Sequence, residues 1–161
     1  MSAPRQGDAV GAPSPSQPLR VVLADDHQLI RRGLQLILEA EDGIEVVAQA
    51  GDLSSARECV RKYQPDVLVL DINMPGGSSL PAIPELRAIA PSTQIVVLTM
   101  QEDPAFVRDA WQAGALGYVF KGEADGDLVA AVRQAAAGRP YLNRRLATRL
   151  VVERTRSALS D

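Results

Sequence analysis

The sequence predicts an α/β fold in three layers (αβα), with helices on both faces of a five-stranded parallel sheet. Three observations predict it. Five short β-rich runs recur along the chain: RVVLA (20–24), IEVVAQA (44–50), DVLVL (66–70), QIVVL (94–98) and LGYVF (116–120). Three of the five are almost continuously aliphatic, as strands are when both faces are covered. The stretches between them repeat apolar residues at helical spacing, and β-then-α units in series close through right-handed crossovers that leave the strands parallel. Five strands fit the flavodoxin-like order 2-1-3-4-5 better than the nucleotide-binding order 3-2-1-4-5-6.

The elements follow in order. Residues 1–18 (MSAPRQGDAVGAPSPSQP) are mostly Pro, Gly, Ser and Ala, a composition with too little to bury, and predict a disordered tail. After the first strand, Leu29, Gly33, Leu34, Ile37 and Leu38 mark one helical stripe; after the second, Leu53, Ala56, Val60 and Tyr63 mark another. Residues 79–90 and 104–113 are weaker helices, and Pro81 and Pro84 make the third helix start late. Leu128, Val129, Val132, Ala135 and Ala136 form the fifth stripe, closed by Gly138 and Pro140. The folded domain is therefore expected at 19–138. Residues 139–161 are expected to be a helical linker with Leu142, Leu146 and Leu150 on one face.

Charge is uneven. Residues 1–138 hold 11 Lys/Arg against 18 Asp/Glu, whereas 139–161 hold six Arg against two acids. An acidic body argues against gripping DNA with the domain itself. One cysteine, Cys59, and one histidine, His27, make neither a disulfide nor a His/Cys metal cluster. Cys59 falls in a helical pattern and is expected to be a half-buried, inert thiol. No run is long and apolar enough to span a bilayer and no signal peptide is evident, so a cytoplasmic protein without membrane contact is expected.

In open α/β sheets ligands bind beyond the carboxyl ends of the strands. The first strand runs into Asp25-Asp26, the third into Asp71, the fourth into Thr99 and the fifth into Lys121; the second ends at Gly51-Asp52. In the order 2-1-3-4-5 the first and third strands are neighbours, so Asp25, Asp26 and Asp71 converge. Three carboxylates that close repel one another unless a cation joins them. Oxygen ligands without His or Cys point to Mg²⁺, held by Asp26, Asp25, Asp71 and the backbone carbonyl of Asn73. Thr99 offers a hydroxyl and Lys121 a mobile positive charge. This set can hold a phosphoryl group in transfer, with Asp71 as nucleophile. Each residue also has an ordinary use: Asp25 or Asp26 as a helix cap, Lys121 as a surface lysine, Thr99 as a strand end. The joint pattern on one rim is what points to chemistry.

These residues resemble the receiver domain of bacterial two-component response regulators: an acidic pair after strand one, Asp71 before Met74-Pro75, Thr99 after strand four and Lys121 after strand five. The stretches ADDHQLIRRGL (24–34), VLTM (97–100), AGALGYVFKG (113–122) and AAGRPYLNRRLATRLV (136–151) resemble the NarL/FixJ (LuxR-type) class in particular. The resemblance implies that Asp71 takes a phosphoryl group from a phosphohistidine on a sensor histidine kinase, with Lys121 on the phosphoryl oxygens. It implies that Thr99 then moves toward Asp71 while Tyr118 rotates inward, that Asn73 and Gln101 tune the phosphoryl lifetime, and that the domain pairs as a homodimer on phosphorylation. In this class a helix-turn-helix follows the linker. Residues 139–161 are too few for one, so DNA binding is expected only through a domain outside this chain, or else the receiver stands alone or acts only as an interaction module. His27 opens the first helix, either solvated or paired with the acidic pocket. Trp111 faces either a switching surface or the core. GGSSLPAIP replaces the Asp-Gly usual after the Met-Pro turn, which leaves the start of the third helix and the stiffness of that loop open. A phosphatase with an aspartyl intermediate would want a second acid at position 73, which is Asn. A nucleotide-binding module would want a Gly-rich turn after strand one, where DDHQLI stands.

Overall fold

In the computed structural model of the chain, the structure describes residues 17–100, 103–142 and 147–148. Strands β1 (Leu19–Ala24), β2 (Ile44–Ala50) and β3 (Val67–Asp71) alternate with helices α1 (Gln28–Glu39) and α2 (Leu53–Tyr63). A hairpin of β4 (Asn73–Met74) and β5 (Gly77–Ser78) follows. A 3₁₀ turn at Leu80–Ala82 leads into α3 (Ile83–Ile89), which starts late, after Pro81, as expected. Then come β6 (Gln94–Thr99), α4 (Pro104–Ala113), β7 (Gly117–Phe120), α5 (Ala124–Ala136) and β8 (Tyr141–Leu142).

The main sheet runs β2-β1-β3-β6-β7-β8 and its pairs are parallel. Its first five strands have the expected order 2-1-3-4-5. The sixth was not expected. Tyr141 and Leu142, assigned from sequence to a helical linker, instead pair with Gly117 and Tyr118 of β7. Tyr141 N–H donates to Leu116 O at 3.0 Å, and its hydroxyl donates to Asp127 Oδ1 at 2.8 Å. Of the rest of that linker, Ala147 and Thr148 are helical, while 143–146 and 149–161 lie outside the described residues, as do 1–16 of the expected tail.

Successive strand residues point to opposite faces, and here the two faces make two cores. Val22, Leu68, Leu70, Val97 and Tyr118 pack with Ala56 and Val60 of α2, Ile83 and Leu86 of α3, and Val107 and Ala110 of α4. Val21, Leu23, Val69, Val96, Leu98 and Val119 pack with Leu34 and Leu38 of α1 and Leu128 and Val132 of α5. Complete burial of one such Val or Leu stabilises the fold by about 1.5–3 kcal/mol, which is why the strands read as unbroken aliphatic runs. The α1 stripe is shorter than expected: Leu29 is 83% exposed and Gly33 is also at the surface, leaving Leu34 and Leu38 buried.

Candidate functional site

The carboxyl ends of β1, β3, β6 and β7 share one rim. Asp71 is the last residue of β3 and is buried, as is Asp25 directly after β1. Lys121 follows β7, only 11% of its side chain exposed, and reaches between them: Nζ lies 2.9 Å from Asp71 Oδ2 and 3.0 Å from Asp25 Oδ2. Asp26 stands beside them with its side chain 31% exposed. Carboxylate oxygens of Asp25, Asp26 and Asp71, with a ring nitrogen of His27, all lie within 4.8 Å of one another.

Local chain geometry fixes these positions. Asp25 N–H continues the sheet ladder to Ala50 O, and Ile72 N–H does the same to Leu98 O. Asp25 Oδ1 accepts His27 N–H at 2.8 Å, an Asx-type closure that tightens the turn into α1. His27 is the N-cap residue of α1, and both readings of it hold: it is 63% exposed, and its Nδ1 lies 3.0 Å from Asp26 Oδ1. Asp71 Oδ1 accepts Asn73 N–H at 3.1 Å. The loop that lacks the usual Asp-Gly is held by other means. The β4–β5 hairpin closes around Pro75 and Gly76, and Gly76 has φ +98°, the conformation a type II Pro-Gly turn requires. Buried Ser79 then donates its Oγ hydrogen to the carbonyl of Asp71 and its N–H to Ile72 O at 2.7 Å.

Burial raises the pKa of Asp71, the adjacent Lys121 and the Asn73 N–H pull it back, and Asp25 pushes it up further. For Lys121, burial alone would lower the pKa, but the Asp71 and Asp25 carboxylates outweigh it and the net shift is upward. The ammonium therefore stays charged. Asp25 Oδ2 is buried and lies 3.0 Å from the Lys121 ammonium, which it shares with Asp71 Oδ2. Two buried carboxylates sharing one ammonium keep an excess of negative charge, which is destabilising unless a further cation joins them. The ammonium pairs with two of the three clustered carboxylates, and the ligand atoms gathered there are carboxylate oxygens with one His27 ring nitrogen. The site therefore fits a hard divalent cation, with Asp25, Asp26 and Asp71 as its candidate protein ligands.

On the other side of the rim, Thr99 ends β6, one residue past Leu98, the register partner of Asp71, and it is buried. Tyr118 is only 1% exposed, neither half-buried nor turned outward, and its hydroxyl shares a hydrogen bond with the Thr99 side chain. Burial pushes its phenol pKa up to about 12. Its ring meets Phe120 edge-on at 6.4 Å between centroids. Tyr118 thus faces inward in this structure. Gln101 lies outside the described residues. Trp111 is 40% exposed on α4, so it is not a core residue. Cys59 is half-buried as expected, and burial raises its thiol pKa.

This rim, with its acidic pair, its strand-end aspartate and its spanning lysine, coincides with a family match. A model of the response regulator receiver domain matches residues 21–133. The chain belongs to the response regulator receiver family. The oxygen regulatory protein NreC of Staphylococcus epidermidis is 38% identical over 144 residues, covering 89% of this chain and 66% of NreC. Among solved structures, a LuxR-family two-component response regulator from Aurantimonas sp. superposes with TM-score 0.82 at 33% identity, over 86% of this chain and 99% of that one. The signal receiver domain of the putative response regulator NarL of Mycobacterium tuberculosis superposes with TM-score 0.72 at 33% identity, over 76% and 99%. The receiver spans 63–66% of the length of the curated relatives it matches. The receiver fold and the NarL-type class expected from sequence are both borne out. Among the described residues no helix is long and apolar enough to cross a membrane.

Sequence reading missed two contributors to this receiver site. Ser79 lies in a GGSS run and nothing in its spacing shows that its hydroxyl folds back onto Asp71. Arg31, whose Nη1 donates to the carbonyl of Asp25, is one of two adjacent arginines, and helical phase alone does not say which turns inward.

Proposed function

We propose that the chain is a cytoplasmic phosphoacceptor switch: Asp71 accepts a phosphoryl group from a phosphohistidine on a sensor histidine kinase, and the change controls an output, transcription through a DNA-binding domain outside this chain. The single observation that carries this reading is the Lys121 ammonium held at 2.9 Å from Asp71 and 3.0 Å from Asp25, within a cluster of three carboxylates. An Asp71 oxygen forms the new bond to phosphorus as the P–N bond of the phosphohistidine breaks. The imidazole nitrogen leaves with that electron pair and takes up a proton. Mg²⁺, when bound by Asp25, Asp26, Asp71 and the Asn73 carbonyl, supplies charge neutralisation for the phosphoryl oxygens. Lys121 contributes a second positive charge, and burial keeps competing water away from Asp71.

Hydrolysis reverses the state: water attacks phosphorus, the acyl P–O bond breaks and the carboxylate returns. Asn73 and Gln101 orient that water and so set the lifetime of the phosphorylated form. Thr99 bonds the phosphorylated Asp71, and Tyr118 stays locked inward behind it, so phosphorylation selects one packing rather than drawing the ring in from solvent. The selected state pairs as a homodimer. The protein catalyses only its own modification and its reversal.

The test is intact mass after incubation with acetyl phosphate and Mg²⁺. Wild type is expected to gain one phosphoryl group and Asp71→Asn none; equal labelling of both, or of neither, contradicts the reading.

A further inference from the structure

The contacts around α1 reach beyond the pocket. Arg31, Gln35 and Glu39 are spaced four apart, so they share one face of the helix, and that face lies against β2, the edge strand of the sheet. Glu39 Oε2 accepts the Val46 N–H at 3.2 Å, and Glu39 Oε1 accepts Gln35 Nε2 at 3.2 Å. Gln35 Oε1 accepts Gln49 Nε2 at 2.8 Å, and Gln49 Oε1 accepts Arg31 Nε at 3.3 Å. Arg31 Nη1 then donates to the carbonyl of Asp25. The result is one continuous polar ladder from the far end of α1 to the turn that carries the acidic pair.

The geometry points to Arg31 as a positioning residue for the acidic pair, its guanidinium anchored on Gln49 and holding the Asp25 carbonyl so that Asp25 and Asp26 present their carboxylates to one cation. The inference rests on the reading of this pocket as a divalent-cation site. It is distinct from a charge effect, because the two have opposite signs. A positive charge near the acids repels a cation, so deleting it would tighten metal binding. Loss of a positioning contact loosens binding instead.

The measurement is Mg²⁺ affinity of the unphosphorylated chain by titration calorimetry, beside its thermal unfolding midpoint. Outer contacts that orient metal ligands are commonly worth 10–100-fold in affinity, so Arg31→Ala is expected to weaken Mg²⁺ binding by about tenfold. Gln49→Ala keeps the Arg31 charge and removes its anchor together with the Gln49–Gln35 bond, and is expected to weaken binding by less than Arg31→Ala, about threefold. Glu39→Ala breaks the ladder at its far end; it is expected to lower the midpoint and leave Mg²⁺ affinity as in wild type. Affinity unchanged or tighter in Arg31→Ala overturns the inference while leaving the site reading intact. Wild type that binds no Mg²⁺ overturns both.

Discussion

The two halves of the rim are built on opposite principles. At β1 and β3 the carboxylates of Asp25, Asp26 and Asp71 cluster together, and the buried Asp25 and Asp71 share the single Lys121 ammonium. At β6, β7 and β8, Thr99 and Tyr118 bond each other, Tyr118 and Phe120 pack edge to face, and β8 covers the flank of β7. One half is electrostatically incomplete in the protein alone, and the other is packed and satisfied. The difference separates what each half offers: a ligand can do most work where the fold is least content, while the packed half supplies a stable frame beside it.

The largest effect that would sharpen this contrast belongs to the packed half. Tyr118→Ala removes a fully buried aromatic and is expected to lower unfolding free energy by about 3–5 kcal/mol in denaturant titrations, with the stabilisation by Mg²⁺ retained. Loss of that Mg²⁺ response as well would mean that the halves are not separable. Next comes Lys121→Ala in the acidic half, which leaves buried carboxylates without their partner. In EDTA it should lose about 2–3 kcal/mol, and Mg²⁺ should recover part of it by replacing the missing charge; an unchanged stability in EDTA would break the account of this half.

Mg²⁺ itself should stabilise wild type by about 1–3 kcal/mol well above its Kd, and Asp26→Asn should remove most of that gain. The pH dependence has a definite sign. Because the folded-state pKa of Asp71 is raised, its contribution in the metal-free protein is most favourable below the unfolded pKa and is lost as pH rises through the folded one. Mg²⁺ requires the carboxylate and acts in the opposite sense. The gap between midpoints with Mg²⁺ and with EDTA should therefore be widest near neutral pH and close on acidification; a gap that widens toward acid contradicts the assignment. The smallest effect is expected from Asp25→Asn. By easing repulsion with Asp71 it should stabilise the metal-free chain by about 1 kcal/mol while weakening Mg²⁺ binding, the trade expected where function requires clustered charge.

Much of this was legible in the sequence because a parallel sheet turns strand ends into neighbours. Once five aliphatic runs are ordered 2-1-3-4-5, Asp25, Asp71, Thr99 and Lys121 must share a rim, and they do. What escaped were features shorter than a periodic pattern or dependent on where a covering layer stops. β8 has two residues, and Leu142 fits a helical face with Leu146 equally well on spacing. The α1 stripe was extended to Leu29 and Gly33 because periodicity gives the direction of a face but not how far along the helix a neighbour covers it. Arg31 and Ser79 act through backbone carbonyls, and the sequence spells the side chain that donates without marking the carbonyl that receives.

The central claim, that the rim makes Asp71 the acceptor with the help of a divalent cation, is tested most directly by trapping. After incubation with acetyl phosphate, borohydride reduction converts an aspartyl phosphate to homoserine, which peptide mass spectrometry locates. The account predicts homoserine at residue 71 alone, and only with Mg²⁺ present. Homoserine at residue 25 or 26, or an equal yield in EDTA, would contradict it.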